Sequence, residues 1–365
     1  GNSGYDCIIP EGVAKNIITV GAVYATTNYQ NPADVVMSHF SSWGPTDDGR
    51  IKPDVVADGM DVFSTTASGV DTYGISTGTS MATPNVTGSL MLLQALYSRL
   101  HSGNFMRAST LKALAVHSTR EAGSAPGPDY SFGWGVLNVE RAAQILLQED
   151  NEQTYIKEAT LHNGMRDTLL LTPRANTKIT VTLSWTDPAA APLPPSLDPT
   201  ASMLINDLDI RLEDEHGNLT LPWILNPATP AAPATRGVNS RDNVEKIELD
   251  NAGTGVYKLI VSHKKNLASG AQPYGLVVTY SSTDVSGQTL YWIGGSGNWH
   301  DGAHWSLQSN GVAANVVPSG VDNVVFDENA FAGADEVWLT APATCKKFTW
   351  INNSAATLSL NNNTL

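Results

Sequence analysis

The chain is 365 residues long, which exceeds one ordinary domain and predicts two or three. Apolar residues make up 41% and charged residues 15%, a balance rich in Gly, Asn, Ser and Thr that argues against wholesale disorder and suits β-rich extracellular proteins. The net charge of −14, from 35 acidic against 21 basic residues, speaks against nucleic acid as a partner, since phosphate backbones repel it, and leaves acidic loops as candidate oxygen ligands for Ca²⁺.

Residues 1–150 alternate short apolar strands with helical patterns and predict an α/β architecture. Ile17–Val23 and Asp54–Ala57 read as buried strands. A long helix is expected from Ser80 to about Leu100, with Pro84 in the first turn where its missing N–H costs little. A second helix covers Ser109–His117, and a third follows the N-cap Asn138 and runs to about Leu147. A polar, acidic seam, Glu149–Gln153, ends this part. Residues 151–284 carry β-type runs at Thr168–Thr172, Lys178–Trp185, Met203–Glu213, Val244–Leu249, Val256–His263 and Tyr274–Ser281, which predict a β-sandwich or jelly roll. The proline-rich stretch Pro188–Pro199 and the stretch Asn226–Asn239 read as loops. After the hydrophilic link Ser281–Gln288, residues 289–365 form a Trp-, Gly- and Asn-rich unit, expected to be all-β and incomplete, with strands at Asn323–Phe326, Glu336–Leu339 and Lys347–Trp350 and no clear internal repeat.

Two cysteines, Cys7 and Cys345, make no disulfide framework, and no Cys/His cluster has zinc spacing. No apolar run reaches the ~20 residues that cross a bilayer, and no signal peptide is visible. Gly1-Asn2-Ser3-Gly4 reads as mid-domain sequence and Leu360–Leu365 stops without a terminal signal, so the chain is expected to be cut at both ends.

The string Gly78-Thr79-Ser80-Met81-Ala82-Thr83-Pro84 carries the chemistry. A serine hydroxyl needs a base to become a nucleophile and donors aimed at the developing oxyanion. A serine where a tight glycine turn enters a helix meets the second need in part, because its own N–H is an unpaired helix-start donor in the field of the helix dipole. Taken alone, Ser80 would be an N-cap. The full string, however, resembles the nucleophile motif of the subtilase family of serine peptidases. Its companions follow in the family's order. Gly1-Asn2-Ser3-Gly4 resembles the oxyanion motif, Phe40-Ser41-Ser42-Trp43-Gly44-Pro45 and Lys52-Pro53-Asp54 resemble the segments that follow it, and Gly133-Trp134-Gly135 resembles the turn before the last helix. Asp58-Gly59 departs from the family's usual Pro-Gly, and a loop adjustment is expected there.

The resemblance implies a subtilisin-like domain with a parallel sheet and helices on both faces, incomplete here, and an endopeptidase acting on polypeptides. Ser80 would be the nucleophile, Asn2 the side-chain oxyanion donor, and Gly78 and Thr79 substrate-binding residues, with no cofactor for the chemistry. None of the eight histidines (His39, His101, His117, His162, His216, His263, His300 and His304) stands in the family's catalytic setting; His300-Asp301 reads as a surface pair. The triad His and Asp are expected in a longer parent protein, secreted or attached at the cell surface. Residues Leu204–Ile210 with Arg241–Glu245 resemble the jelly roll of bacterial alkaline subtilases, which implies structural Ca²⁺ on Asp207, Asp209, Asp242 and Glu245; otherwise these are turn residues and ion-pair partners. The third unit resembles segments of large bacterial surface proteins. Exposed Trp there would stack on glycans, whereas buried Trp would simply fill a small β-core. The competing reading of the whole is a non-catalytic, subtilase-derived adhesive or scaffold protein.

Overall fold

The computed structural model describes residues 1–149, 154–173, 176–282, 288–319, 322–351 and 355–364. The seam expected at 150–153 and the link at 283–287 lie outside them. The chain divides into two compact units, Gly1–Tyr280 and Ser281–Leu365.

The first unit opens with β1 (Val20–Val23) and β2 (Val55–Asp58), paired in parallel with Val20 opposite Val55. A hairpin of β3 (Val62–Thr65) and β4 (Tyr73–Ser76), which the sequence reading missed, leads into α1 (Thr79–Leu100). α2 (Ala108–His117) and α3 (Val139–Leu147) follow, the latter capped by Asn138 Oδ1, which accepts from the Arg141 N–H at 3.0 Å. Side chains alternate across a strand, so Val20, Ala22, Val55 and Ala57 face Ala82 and Val86 of α1. The opposite face, with Val23 and Val56, meets irregular segments through Val35, Ala122 and Val136. Among the described residues the strand pair is therefore covered by a helix on one face and by loops on the other, where helices on both faces were expected.

The sandwich is built from β5 (Thr154–His162), β6 (Asp167–Leu171), β7 (Thr177–Trp185), β8 (Leu208–Glu213), β9 (Leu219–Thr220), β10 (Trp223–Ile224), β11 (Thr235–Arg236), β12 (Val244–Ala252), β13 (Tyr257–His263) and β14 (Ala271–Ser282). Two antiparallel four-stranded sheets, in the orders β12-β7-β14-β5 and β6-β13-β8-β9, bury one shared core that includes Val181, Leu183 and Trp185 from one and Leu208, Ile210 and Leu259 from the other. Strand β5 was missed in the sequence. It lies at a sheet edge and is mostly half-buried, so its residues carry a mixed rather than alternating pattern.

The expected break near residue 150 does not separate two independent bodies. Helix α2 lies on the sandwich, and Gly275 of β14 permits the approach: a Cβ there would sit 2.5 Å from Thr110 Cα. Asp242 of the sandwich accepts the Ile51 N–H at 2.8 Å, and Asn243 donates to Asn16 at 2.9 Å. At the centre of this seam is His117, fully buried, hydrogen-bonded by Nδ1 to Thr182 at 3.0 Å and by Nε2 to Thr279 at 2.9 Å. Burial, with help from Lys246 and Arg141, holds its pKa well below the ordinary 6.5. The unfolded chain therefore binds the proton more readily than the folded one. Stability from this group is present above pH 6.5 and falls as the pH drops below it. We expect the urea midpoint to decline from pH 7 to 5 and His117→Gln to flatten that slope; parallel profiles for the two proteins would refute the assignment.

The second unit holds β15 (Thr289–Trp292), β16 (Gly297–Asn298), β17 (Trp305–Ser306), β18 (Asn323–Phe326), β19 (Glu336–Trp338), β20 (Lys347–Trp350) and β21 (Thr357–Ser359). Strands β15, β18 and β20 are parallel neighbours in one sheet, and β16, β19 and β21 in another, so the chain winds between two sheets as in a β-solenoid. Trp292, Phe326 and Trp350 stack through its interior at centroid separations of 5.6 and 4.8 Å. This structural repeat escaped the sequence because the register partners Thr289, Asn323 and Lys347 are unequally spaced. Trp292, Trp299 and Trp305 are wholly buried, so they fill the core and are not sugar platforms. His300 and Asp301 do not pair: Asp301 caps Ala303 N–H, and His300 meets the Pro342 carbonyl at 3.4 Å and the Thr340 hydroxyl at 3.4 Å.

Among the described residues no helix is long and apolar enough to cross a membrane. Cys7 is exposed and Cys345 half-buried, both as free thiols.

Candidate active site

The site forms where three segments meet at the start of α1. Gly78 is the N-cap, with φ 155°. That angle suits glycine, and a Cβ at this position would come within 3.4 Å of Asn2 Nδ2. Gly78 N–H donates to Gly59 O at 2.8 Å, and Gly59 N–H to Val23 O at 3.1 Å, which ties the turn to the end of β1. Asp58, in place of the family's proline, accepts the Met60 N–H at 3.1 Å, so the departure is absorbed locally.

Thr79 is buried and spends both donors on one atom. Its N–H at 3.0 Å and its hydroxyl at 2.9 Å both reach Asn2 Oδ1. This fixes the Asn2 amide: with the oxygen held inward, Nδ2 is turned outward, and no acceptor among the described residues meets it. The Thr79 side chain, expected from the motif to contact substrate, is here engaged with Asn2. The N–H groups of Met81 and Ala82 reach Gly78 O at 2.9 and 3.4 Å. The Ser80 N–H meets no acceptor among the described residues, and Ser80 itself is exposed. Among the described residues, two donors without an acceptor and one exposed hydroxyl therefore lie at a helix N-terminus, where the helix dipole favours negative charge.

The Asn2 segment is held from behind by Phe40-Ser41-Ser42-Trp43. Gly4 N–H donates to Phe40 O at 3.1 Å, Ser42 N–H to Gly1 O at 2.9 Å, and Ser3 N–H to Ser42 Oγ at 3.0 Å. Ser41 Oγ accepts the Ala22 N–H of β1 at 2.9 Å. The two serines thus have separate duties, one on the strand and one on the oxyanion segment, which no spacing rule in the sequence discloses.

Beneath lies a buried charge cluster. Asp54 receives Lys52 Nζ at 2.5 Å, Lys112 Nζ at 2.8 Å and the Thr19 N–H at 2.7 Å, and all three charged side chains are at most 4% exposed. Burial, together with the neighbouring Lys112, presses the Lys52 pKa down to about 8 against the pull of Asp54. Trp134 N–H donates to Asp54 O at 2.9 Å, which docks the Gly133-Trp134-Gly135 turn on the same residue.

Among the described residues no histidine contacts Ser80. His101 pairs with Glu149 at 2.8 Å, His117 is the seam residue, and His304 stacks on Trp292.

Of the four carboxylates expected to hold Ca²⁺, Asp207, Asp209 and Glu245 lie near one another and Asp242 stands apart. Asp207 and Asp209 both pair with Lys264 at 3.0 Å, so an ammonium already stands where a cation would. Asp242 faces Ile51 and Asn239 instead. Glu245 is buried, with Oε2 accepting the Ile210 N–H at 2.7 Å, and burial next to Asp209 drives its pKa well above the usual range, toward the protonated form. An Asp207–Asp209 pair already neutralised by the Lys264 ammonium does not fit a hard divalent cation. No cluster of three metal-ligating residues occurs among the described ones.

An exposed serine thus stands beside the Asn2 amide at the start of a helix. Residues 2–135, the α/β part of the chain, match the model of the subtilase family. The Dictyostelium discoideum serine protease/ABC transporter B family protein tagA is 26% identical over 290 residues, 70% of this chain and 16% of its own length. Pyrolysin of Pyrococcus furiosus is 37% identical over 167 residues, 39% of this chain and 12% of its own. The C5a peptidase of Streptococcus pyogenes is 49% identical over 61 residues, 17% of this chain and 5% of its own. The chain thus spans a small part of each. Among solved structures, the patellamide maturation protease PatA aligns with a TM-score of 0.32 at 26% identity, covering 41% of this chain and 50% of that one.

Proposed function

We propose that this chain is part of an extracellular subtilisin-type serine endopeptidase, with Ser80 as nucleophile and Asn2 Nδ2 and the Ser80 N–H as its oxyanion donors. The observation that carries the reading is the doubly anchored Asn2 amide, whose oxygen is fixed by Thr79 so that its nitrogen is presented beside Ser80. Ser80 Oγ would attack the scissile carbonyl carbon while a base takes its proton. The carbonyl π pair moves to oxygen and is met by the two donors. Collapse expels the amine with a proton returned from the protonated base, and water then cleaves the acyl-enzyme. The base is proposed to be a histidine of a longer parent protein, oriented by an aspartate, as the family resemblance implies. In this reading the sandwich is the jelly-roll companion that holds the nucleophile helix through α2. A fluorophosphonate should label Ser80 in the full-length parent, with Ser80 Oγ displacing fluoride from phosphorus, and should not label Ser80→Ala. Equal labelling of both, or none of the wild type, refutes the reading.

A further inference from the structure

Three cavities of the first unit adjoin one another through shared lining residues and are taken together as a groove. The largest, about 550 Å³, is lined by Tyr5, Trp43, Asp129, Tyr130, Phe132 and the Pro230–Ala234 loop of the sandwich. The next, about 370 Å³, shares Tyr5 with it and adds Asp6, Asp47, Asp198 and Arg241. The last, about 430 Å³, shares Thr46 and Asp47 with the second and ends among Ile8, Leu193 and Met203. Each has the size of a ligand pocket. Tyr5 lies three residues beyond Asn2, on the segment zipped to Phe40–Trp43, so the groove begins on the same backbone that carries the oxyanion donor.

Its chemistry changes along its length. At one end the Tyr5 and Trp43 rings lie 4.7 Å apart, inclined at 54°, opposite Pro230 and Pro233. In the middle stand Asp6, Asp47 and Asp198, all exposed and in no ion pair among the described residues. The one cation lining that stretch, Arg241, donates to the Asp48 carbonyl. At the far end the wall is aliphatic. The floor is fixed: Arg50 Nε holds Asp48 at 2.8 Å, Thr46 Oγ1 donates to Asp48 at 2.7 Å, and the Tyr130 hydroxyl donates to Gly49 O at 3.0 Å. A rigid floor under an aromatic end and an unneutralised acidic middle favours an occupant that is extended, carries an aromatic group and bears positive charge.

We propose that this groove is an exosite for an extended polypeptide segment bearing an aromatic residue followed by basic residues. Three aspartates against one arginine supply the charge complementarity, and the peptidase reading supplies the identity of the occupant as polypeptide. It is tested by binding, so that it fails separately from the chemistry. The chain carrying Ser80→Ala is titrated against a fluorescein-labelled peptide with one Trp followed by spaced lysines, and against the same peptide with glutamates for lysines, by anisotropy at low and high salt. The Lys peptide should bind, more weakly as salt rises, and the Glu peptide should not. The double variant Asp47→Asn/Asp198→Asn should weaken binding about 5- to 10-fold. Ala231→Trp, which fills the aromatic end from an exposed position, should do so independently, with circular dichroism unchanged. Equal binding of the two peptides, no binding of either, or affinity indifferent to both sets of variants overturns the proposal. Fluorophosphonate labelling of the wild-type parent is unaffected by any of these outcomes.

Discussion

In the proposed peptidase, Asn2→Leu should lower kcat by about 10²–10³-fold while KM changes little, the magnitude found when one oxyanion donor is removed from a subtilisin. Leucine keeps the volume of asparagine but has no donor, and the oxyanion exists only in the transition state, so ground-state binding is spared. The structure adds a second arm. Asn2 is oriented by the Thr79 hydroxyl at 2.9 Å and N–H at 3.0 Å. Thr79→Val removes the first and keeps the second, so it should cost about tenfold in kcat, well short of Asn2→Leu. In the double variant the Thr79 effect should disappear, because there is no amide left to orient. Additive losses, or a Thr79 effect on KM alone, would show that Thr79 acts on something else.

The largest effect on stability is expected at Asp54. Asp54→Ala should destabilise the first unit by about 3–5 kcal/mol, the range for removing one partner of a buried ion cluster. The carboxylate offsets two buried ammonium groups and the backbone N–H of Thr19, just before β1. Without it Lys52 and Lys112 face one another in the interior, held only by the carbonyls of Ile17 and Lys15. Their mutual repulsion adds to the cost of leaving both desolvated. Urea unfolding followed by tryptophan fluorescence would measure the loss. Adding Lys112→Met to Asp54→Ala should recover part of it, since a nonpolar side chain of similar length needs no counterion. A loss under about 1 kcal/mol, or no recovery in the double variant, would mean that water reaches the cluster.

The helices and the nucleophile turn were legible in the sequence because their signals are local. Asn138 caps the residues beside it, and Gly78-Thr79-Ser80 needs only a tight turn and a helix start to be recognised. The hairpin β3–β4 was not legible because its strands are largely exposed, so no burial pattern marks them. The second unit's winding was not legible because parallel strands pair across long, unequal intervals, which leave no period.

The proposed metal set shows the same division. Alternation along the chain correctly placed Asp207 and Asp209 near one another, but it is silent about Lys264, which arrives from beyond the next strand and takes the cation's place. What the sequence determined by itself is the identity and order of the parts: Ser80 at a helix start, Asn2 in a glycine turn, the Lys52-Pro53-Asp54 segment that leads into β2, and a β-rich remainder. Those rest on short-range constraints, a cap, a turn or a run of alternating side chains, which a string of residues expresses directly. Only the tertiary structure decided that Thr79 orients Asn2, that His117 joins helix α2 to the sandwich, that neighbouring cavities share Tyr5, and that Asp207 and Asp209 are already paired with Lys264. Each of these depends on groups far apart in the chain meeting within hydrogen-bond distance, and sequence order carries no record of which distant partners folding brings together.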